Sequence, residues 1–278
     1  MSDKMRYVRE LSPESSGEAP GRGRLQGRRI LVVGGGQRTF DAATDPVGNG
    51  RAMSLLFAKE GAHVAVADVN RVSADDTVQR VAAEGGRAFS IEADVSREDD
   101  VIRMIDEAGD GLGGLDGMVL NVGIGVGALG LDGVKVKEWI DTIAVNLTGP
   151  MLCSRKALKH LADGSSIVFI SSIAALRSGS RLIAYDASKA ALGGLMRNVA
   201  KEGARRGIRA NIIYPRLVDT PLGRHTRAGR PSRSAAGVPF GRMATGWEIA
   251  YAALFFISDE SVYVNAQALA VDSGITGL

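Results

Sequence analysis

Short apolar runs alternate with longer stretches of helical character from residue 28 onward. The first run covers 29–33 and ends in Gly34-Gly35-Gly36, and a helical pattern over 52–60 separates it from a second run at 63–68. Further strands are predicted at 88–92, 116–120, 166–170, 208–213 and 268–271, with helices between them. Continuous apolar strands that alternate with helices are typical of a parallel sheet covered on both faces. The pattern therefore predicts one α/β domain with a doubly wound parallel sheet of about seven strands.

Residues 1–27 show no such periodicity and carry charges of both signs among Ser, Pro and Gly. We expect this segment to be a flexible tail, mobile or draped over a neighbouring subunit, and 28–278 to be the folded domain. A chain of 278 residues with 45% hydrophobic content can bury the core of one large α/β domain.

Composition argues against several classes of protein. The single Cys153 excludes an internal disulfide and fits a reducing cytoplasm, and three distant histidines (His63, His160, His225) offer no metal-ligand spacing. The opening residues lack the apolar stretch of a signal peptide, and no run is long enough to span a membrane. A formal charge of +3 with dispersed arginines predicts no nucleic-acid partner.

A glycine cluster marks the end of the first strand. Gly34-Gly35-Gly36 follows the strand, and Gly48-Asn49-Gly50 opens the next helix. Glycines let the backbone approach a diphosphate, and a helix N-terminus offers unpaired N–H groups to it. Asp68, which ends the second strand, can accept hydrogen bonds from an adenosine ribose and repel a 2′-phosphate. This arrangement favours NAD over NADP, although Asp68 as a plain turn cap remains an alternative.

A second candidate site lies further along the chain. If 185–200 is helical, Tyr185 and Lys189 lie one turn apart on the same face. An ammonium beside a phenol favours the phenolate and so lowers the tyrosine pKa, which suits proton transfer near neutral pH. Ser172, just beyond the apolar run that ends at Ile170, is placed to hold a substrate oxygen. A Tyr-x-x-x-Lys pair by itself also arises by chance.

Taken in chain order, these motifs resemble those of the short-chain dehydrogenase/reductase family from about residue 28 to the C-terminus. Besides the glycine motif, Asp94-Val95 resembles its adenine-contacting pair, and Asn121-Val122-Gly123 resembles its Asn-Asn-Ala-Gly segment. Asn211 and the segment from Pro215 to Thr220 match the region that contacts the nicotinamide, and Asn265-Ala266-Gln267 with Val271–Gly274 resembles the last strand.

The resemblance implies a Rossmann-type fold and hydride transfer between a nicotinamide cofactor and a secondary alcohol or ketone. It implies four catalytic residues, namely Asn146, Ser172, Tyr185 and Lys189. It also implies cofactor contacts from Gly35, Gly48, Asn49, Gly50, Asp68, Asp94, Val95, Asn121, Gly123, Tyr185, Lys189, Pro215, Val218 and Thr220. The expected cofactor is NAD, with NADP less favoured, and the expected assembly is a homotetramer.

Three departures from the family pattern stand out. The glycine motif contains an insertion at 37–47, here called the inserted loop, which either bulges over the adenosine or the active-site mouth or lies inert on the surface. Its Arg38 is placed to reach a 2′-phosphate, the main argument for NADP. Leu120 replaces an Asn behind the cofactor, and Arg216 replaces the Gly after the family's Pro, where it affects substrate choice or points outward.

The substrate is less well defined. Residues 221–240 are rich in Gly, Ser and Arg and are predicted to form a mobile lid. Their arginines (Arg224, Arg227, Arg230, Arg233) would bind an anionic substrate or an acyl carrier, or form a solvated basic loop without a ligand. Two alternatives therefore stay open: a 3-oxoacyl carrier-protein reductase, and a non-catalytic protein of this fold that senses nucleotide. Proteins of the second kind usually lack the Tyr and the Lys.

Overall fold

The computed structural model describes residues 9–41, 43–127, 130–177, 180–227 and 238–277. Seven parallel strands form the central sheet of this part of the chain, namely β1 Arg29–Val33, β2 His63–Asp68, β3 Arg87–Glu92, β4 Leu115–Leu120, β5 Leu161–Ile170, β6 Arg209–Pro215 and β9 Ala268–Val271. They lie in the order β3-β2-β1-β4-β5-β6-β9. A separate two-stranded pair joins β7 (Val218–Asp219) to β8 (Ala244–Thr245).

Helices cover both faces of the sheet. Their bounds are α1 Pro13–Ser16, α2 Asn49–Lys59, α3 Arg71–Ala83, α4 Glu98–Leu112, α5 Val136–Ile143, α6 Gly149–Ala157, α7 Ile183–Gly203, α8 Pro221–Arg227 and α9 Gly246–Ile257. One core packs α4, α6 and α7 against the sheet, and the other packs α2, α3 and α9 against its opposite face. The structure thus confirms the predicted doubly wound α/β fold, including the long helix over 185–200.

The predicted strands agree with the observed ones to within two residues, except at β5. This strand begins at Leu161, five residues before its predicted start at 166. Ala162-Asp163-Gly164-Ser165 carries no apolar run, and the ladder with β4 shifts register between Leu115 and Gly117. The strand therefore begins at one buried leucine, Leu161, and passes through polar residues before the apolar run starts.

Residues 9–27, which we expected to belong to a mobile tail, instead lie against the domain. The Leu25 side chain is fully buried among the α2 and α9 side chains. Ser15 Oγ donates to Glu248 Oε1 at 2.9 Å, and Thr245 Oγ1 donates to Ser15 O at 2.7 Å. Single buried residues, side-chain hydrogen bonds and the Arg24–Glu60 ion pair hold this segment, which is why it shows no periodic pattern. Residues 1–8 lie outside the described residues.

Over the described ranges, none of the helices combines the length and the apolar character that crossing a bilayer requires.

Candidate active site

The strand order reverses between β1 and β4, and the loops after these two strands are bonded to each other. Asn121 Nδ2 donates to Gly34 O at 2.9 Å, and the Asn121 N–H donates to Val33 O at 2.9 Å. The first turn of α2 packs so closely here that a Cβ on Gly50 would lie 1.9 Å from Gly34 O. Doubly wound sheets bind ligands beyond the carboxyl ends of the strands at such a reversal.

The N-terminus of α2 faces this crevice. Gly48 is its N-cap and brings no side-chain hydrogen bond to the first turn of the helix. The Gly48 N–H itself donates to Gln37 Oε1 at 2.7 Å. Asn49 Oδ1 is buried and has no hydrogen-bond partner among the described residues. A helix end without a side-chain cap and with close glycines fits the diphosphate of a dinucleotide.

Asp68 lies at the end of β2, beside the glycine loop. Its carboxylate accepts from the Gly36 N–H at 3.0 Å and from the Asn70 N–H at 3.1 Å. Burial raises the pKa of Asp68 above its ordinary value, although those N–H groups and Arg51 act in the opposite direction. A Cβ on Gly36 would lie 2.8 Å from Asp68 Oδ2, so Gly36 lets the loop reach the carboxylate. The residues present fit an adenosine ribose at this end of the crevice.

Asp94 and Val95 follow the next strand, β3. Asp94 Oδ1 accepts from the Ser96 N–H at 2.9 Å and from Ser96 Oγ at 2.7 Å, so its side chain shapes the turn. Val95 is buried against Gly149, where a Cβ would lie 2.8 Å from Val95 Cγ2. The Ala93 N–H donates to Asp68 O at 3.0 Å, which brings the pair next to the end of β2.

Lys189 is buried at the other end of the crevice. Its Nζ donates to Val122 O and Ile170 O, each at 3.1 Å, and lies 5.9 Å from the centre of the Tyr185 ring. Burial lowers the pKa of Lys189 to about 8. A Cβ on Gly123 would lie 3.0 Å from Nζ, so the glycine leaves room for the ammonium group. The predicted one-turn spacing of Tyr185 and Lys189 on α7 is confirmed.

Asn146 lies in a single π-helical turn, Ala144–Thr148, between α5 and α6. Its side chain pairs with the backbone of Ile124: Oδ1 accepts from the N–H at 2.8 Å and Nδ2 donates to the carbonyl at 2.9 Å. Nδ2 also donates to Ser188 Oγ at 3.0 Å, and that hydroxyl donates to Tyr185 O at 2.8 Å. Asn146 therefore ties the loop after β4 to the helix that carries Tyr185.

Ser172 follows β5 and precedes a short 3-10 turn, Ile173–Ala175. Its Oγ accepts from the Ala174 N–H at 3.2 Å, and its hydroxyl proton has no acceptor among the described residues. The neighbouring Ser171 Oγ donates to Lys189 O at 2.8 Å, which joins the end of β5 to α7. Ser172 can thus donate a hydrogen bond to an oxygen that enters this end of the crevice.

The segment after β6 reaches the same edge. Pro215 pairs with Val271 of β9, Val218 pairs with Ala244, and Thr220 Oγ1 accepts from the Gly223 N–H at 3.0 Å at the start of α8. Arg216 lines a cavity of about 160 Å³ together with Asp272 and others. The structure therefore brings every predicted site residue to the carboxyl edge of the sheet, from Gly35 near β1 to Thr220.

Sequence reasoning missed several residues that build this site. Ser188 is the clearest, and its helical spacing from Tyr185 was a usable signal. Gln37, whose side chain binds the Gly48 N–H, lies in the inserted loop and had no signal. The carbonyls of Val122 and Ile170 that hold Lys189 are backbone groups, so residue type says nothing about them.

The departures from the family pattern take defined places. Leu120 is buried in the core that packs α4, α6 and α7. The Phe40 ring of the inserted loop stacks on His225 of α8, with ring centres 4.1 Å apart. Arg224 binds Asp219 at 2.8 and 2.7 Å, so this lid arginine already has an acidic partner. Arg230 and Arg233 and the side chain of Arg227 lie outside the described residues.

A family model and curated relatives match most of this chain. The family model described as Enoyl-(Acyl carrier protein) reductase matches residues 43–276. The cis-4-hydroxycyclohexanecarboxylate dehydrogenase of Sinomonas cyclohexanicum is 36% identical over 252 residues, which cover 90% of this chain and 97% of that protein. The 3beta-hydroxysteroid dehydrogenase 1 of Eggerthella lenta is 34% identical over 259 residues, which cover 91% and 95%.

A solved structure agrees with these relatives. The short chain dehydrogenase of Burkholderia cenocepacia in complex with NADP superposes with a TM-score of 0.83 at 30% identity, over 91% of this chain and all of that one. Fold, motif order and relatives agree, and the chain belongs to the short-chain dehydrogenase/reductase family of NAD(P)-dependent oxidoreductases, which act on alcohols and ketones.

Proposed function

We propose that Tyr185 is the general acid–base of an NAD-linked oxidation of a secondary alcohol, and of the reverse reduction of a ketone. The observation that carries this proposal is the buried Lys189, whose ammonium is held by two carbonyls 5.9 Å from the centre of the Tyr185 ring. A positive charge fixed beside a phenol favours the phenolate, which can accept a proton near neutral pH.

Each residue of the site has its own role in the proposed reaction. A bound nicotinamide dinucleotide supplies the hydride acceptor for an alcohol or the hydride donor for a ketone. Ser172 donates a hydrogen bond to the substrate oxygen, and Tyr185 takes the hydroxyl proton of the alcohol or returns it to the ketone oxygen. Lys189 places its positive charge beside the phenol and would hold the nicotinamide ribose. Asn146 keeps the loop after β4 in register with α7.

We propose NAD as the preferred cofactor because of the surroundings of Asp68. Beside its backbone N–H partners the carboxylate keeps lone pairs for ribose hydroxyls, and its charge would repel a 2′-phosphate. Arg38, the residue that favoured NADP, lies 5.2 Å from the centre of the Phe40 ring, on the part of the inserted loop that contacts α8. Gly35, Gly48, Asn49 and Gly50 would hold the diphosphate.

Tyr185→Phe tests the catalytic assignment. We expect turnover to fall by about 10²- to 10⁴-fold, since the phenolic proton carrier is lost, while NADH binding stays near that of the wild type. Steady-state kinetics and a fluorescence titration with NADH measure the two effects separately. Near-normal turnover in this variant would show that Tyr185 is not the proton carrier.

Titration with NADH and NADPH tests the cofactor assignment. Wild-type protein should bind NADH more tightly, and Asp68→Asn should reduce that preference by about tenfold because the repelling charge is gone. Asp110→Asn, which changes an exposed carboxylate on α4, is the matched control and should leave the preference unchanged. Tighter binding of NADPH by the wild type would reject NAD as the cofactor and point to Arg38.

The substrate we propose is a secondary alcohol carried on a ring. The names of two relatives specify ring-borne hydroxyl groups, in a hydroxycyclohexanecarboxylate and a hydroxysteroid. A carrier-bound acyl substrate is the second candidate, because the matching family model is described as a reductase of that class. Charge reversal at Arg230 and Arg233 of the lid, 221–240, separates a carrier-bound substrate from an uncharged ring alcohol: turnover of the first should fall, and turnover of the second should not change.

We further propose a homotetramer in the cytoplasm. Exposed apolar side chains on α5 and an exposed edge strand, β9, support assembly, and the one cysteine, Cys153, is buried and unpaired. We also propose that 28–278 forms the catalytic domain and that 9–27 packs on it as an N-terminal segment.

A further inference from the structure

The inserted loop is closed at its neck. The Gln37 N–H donates to Ser73 Oγ, which in turn donates to Gln37 O at 2.8 Å. The Gln37 side chain then accepts from the Gly48 N–H at 2.7 Å, so one residue joins both ends of the loop. The loop is thereby fixed to the glycine motif and to α3, beside the crevice that the cofactor would occupy.

Hydrogen bonds within the inserted loop also fix its shape. Asp45 Oδ2 accepts from the Phe40 N–H at 2.7 Å and from the Asp41 N–H at 2.9 Å. Thr44 Oγ1 donates to Asp41 Oδ2 at 2.7 Å. These bonds give the backbone around Phe40 a defined shape, as compact surface loops often have. Phe40 is therefore presented in one place although its ring is partly exposed.

The far end of the loop contacts the first helix of the lid. The Phe40 and His225 rings stack in parallel, with centres 4.1 Å apart and planes 6° apart. Arg224 Nη1 donates to Thr44 O at 2.8 Å, while the same guanidinium binds the Asp219 carboxylate. Two contacts of different chemistry thus join the inserted loop to α8.

The strand order shows which part of the sheet edge this contact spans. The inserted loop begins beyond β1, and α8 begins beyond β6 and β7, whereas β4 and β5 lie between β1 and β6 in the sheet. The contact therefore bridges the strand ends that carry Asn121 and Ser172. A dinucleotide that reaches from Asp68 to Lys189 has to cross the same edge.

We propose that the inserted loop and α8 form a clasp over the bound dinucleotide, and that opening of this clasp limits release of the cofactor. The proposal rests on the cofactor site described above. Lids that close over an active site commonly make product release slow, and an aromatic stack across the opening adds a barrier to leaving. Phe40 and His225 are then determinants of cofactor residence time.

The test is a stopped-flow chase. Protein loaded with NADH is mixed with excess NAD⁺, and the decay of nicotinamide fluorescence gives the dissociation rate for wild type, Phe40→Ala, His225→Ala and the double variant. Each single variant should release NADH about three- to tenfold faster. The double variant should be little faster than either, because both substitutions remove the same stack. Thr39→Ala, at an exposed position of the same loop, is the matched control.

The outcomes separate the two proposals. Dissociation rates of Phe40→Ala and His225→Ala equal to those of wild type and Thr39→Ala would overturn the clasp, even where NADH binds as proposed. Tighter binding of NADPH would overturn the cofactor preference alone, and the same chase with NADP⁺ would then decide on the clasp. Binding of neither dinucleotide would overturn both.

Discussion

Lys189 brings a positive charge into a buried position next to Tyr185, and burial lowers its pKa from 10.5 to about 8. The unfolded chain therefore holds this proton more tightly than the folded one, and the cost of burying the charge is fully present below pH 8. That cost disappears as the pH rises from 8 to 10.5. Through this window, stability should rise by about 1.4 kcal/mol per pH unit from this group alone.

Comparison with Lys189→Met isolates the effect. The free energy of unfolding of the wild type minus that of the variant should increase between pH 8 and pH 10, as measured by urea denaturation at each pH. The comparison is made in a Tyr185→Phe background, because removal of the Lys189 charge would also change the ionisation of that phenol; the remaining titrating groups are shared by both proteins and cancel. Lys201→Met, at an exposed position of the same helix, should give a difference that does not change with pH. A constant difference for Lys189→Met would show that its ammonium is not held at a cost.

At the residue scale, the sequence could name candidate residues only where side-chain chemistry carried the signal. Tyr185, Lys189 and Ser172 are polar side chains at definite spacings, and the structure places them at one edge of the sheet. The groups that hold Lys189 are carbonyls of Val122 and Ile170, which any residue type provides. Because the backbone path sets their positions, no pattern of residue types could have named them.

At the scale of elements, the N-terminal segment gives a sharp contrast between two leucines. Leu25 is fully buried among α2 and α9 side chains, whereas Leu11 is 52% exposed. Leu25→Ala should therefore lower the free energy of unfolding by about 2–5 kcal/mol, and Leu11→Ala by less than about 0.5 kcal/mol. Guanidinium denaturation of both variants measures the difference. Equal, small effects would mean that 9–27 is detached in solution.

Periodicity predicted the strands and helices of the sheet because each buries a regular row of apolar side chains. The N-terminal segment packs through isolated residues instead. Gly17, for instance, lies so close to Trp247 that a Cβ would be 2.3 Å from its ring. The inserted loop likewise depends on side-chain bonds to its own backbone. Neither kind of packing leaves a repeating pattern, so the sequence predicts a mobile tail at the N-terminus and leaves the position of the inserted loop open.

At the scale of the whole molecule, the distribution of exposed apolar side chains bears on assembly. Ile140 is 57% exposed on α5, close to Val136 and Trp139, which are also exposed. Clusters of this kind on a helix commonly mark a protein–protein interface. Val72 on α3 is 78% exposed, but it belongs to a helix that we do not assign to the interface. The two positions therefore form a matched pair for testing the proposed homotetramer.

If α5 lies in a contact between subunits, substitution of Ile140 by aspartate places a charge in that contact. Ile140→Asp should reduce the tetramer to a smaller species, because a carboxylate buried between subunits loses its hydration without gaining a partner. Val72→Asp should leave the molar mass of the oligomer unchanged, because the side chain at this position stays in water. Light scattering coupled to size-exclusion chromatography measures both. A wild-type monomer would reject the proposed tetramer. A tetramer that persists in Ile140→Asp would show that the interface does not include α5, and the exposed edge of β9 would then be the surface to test.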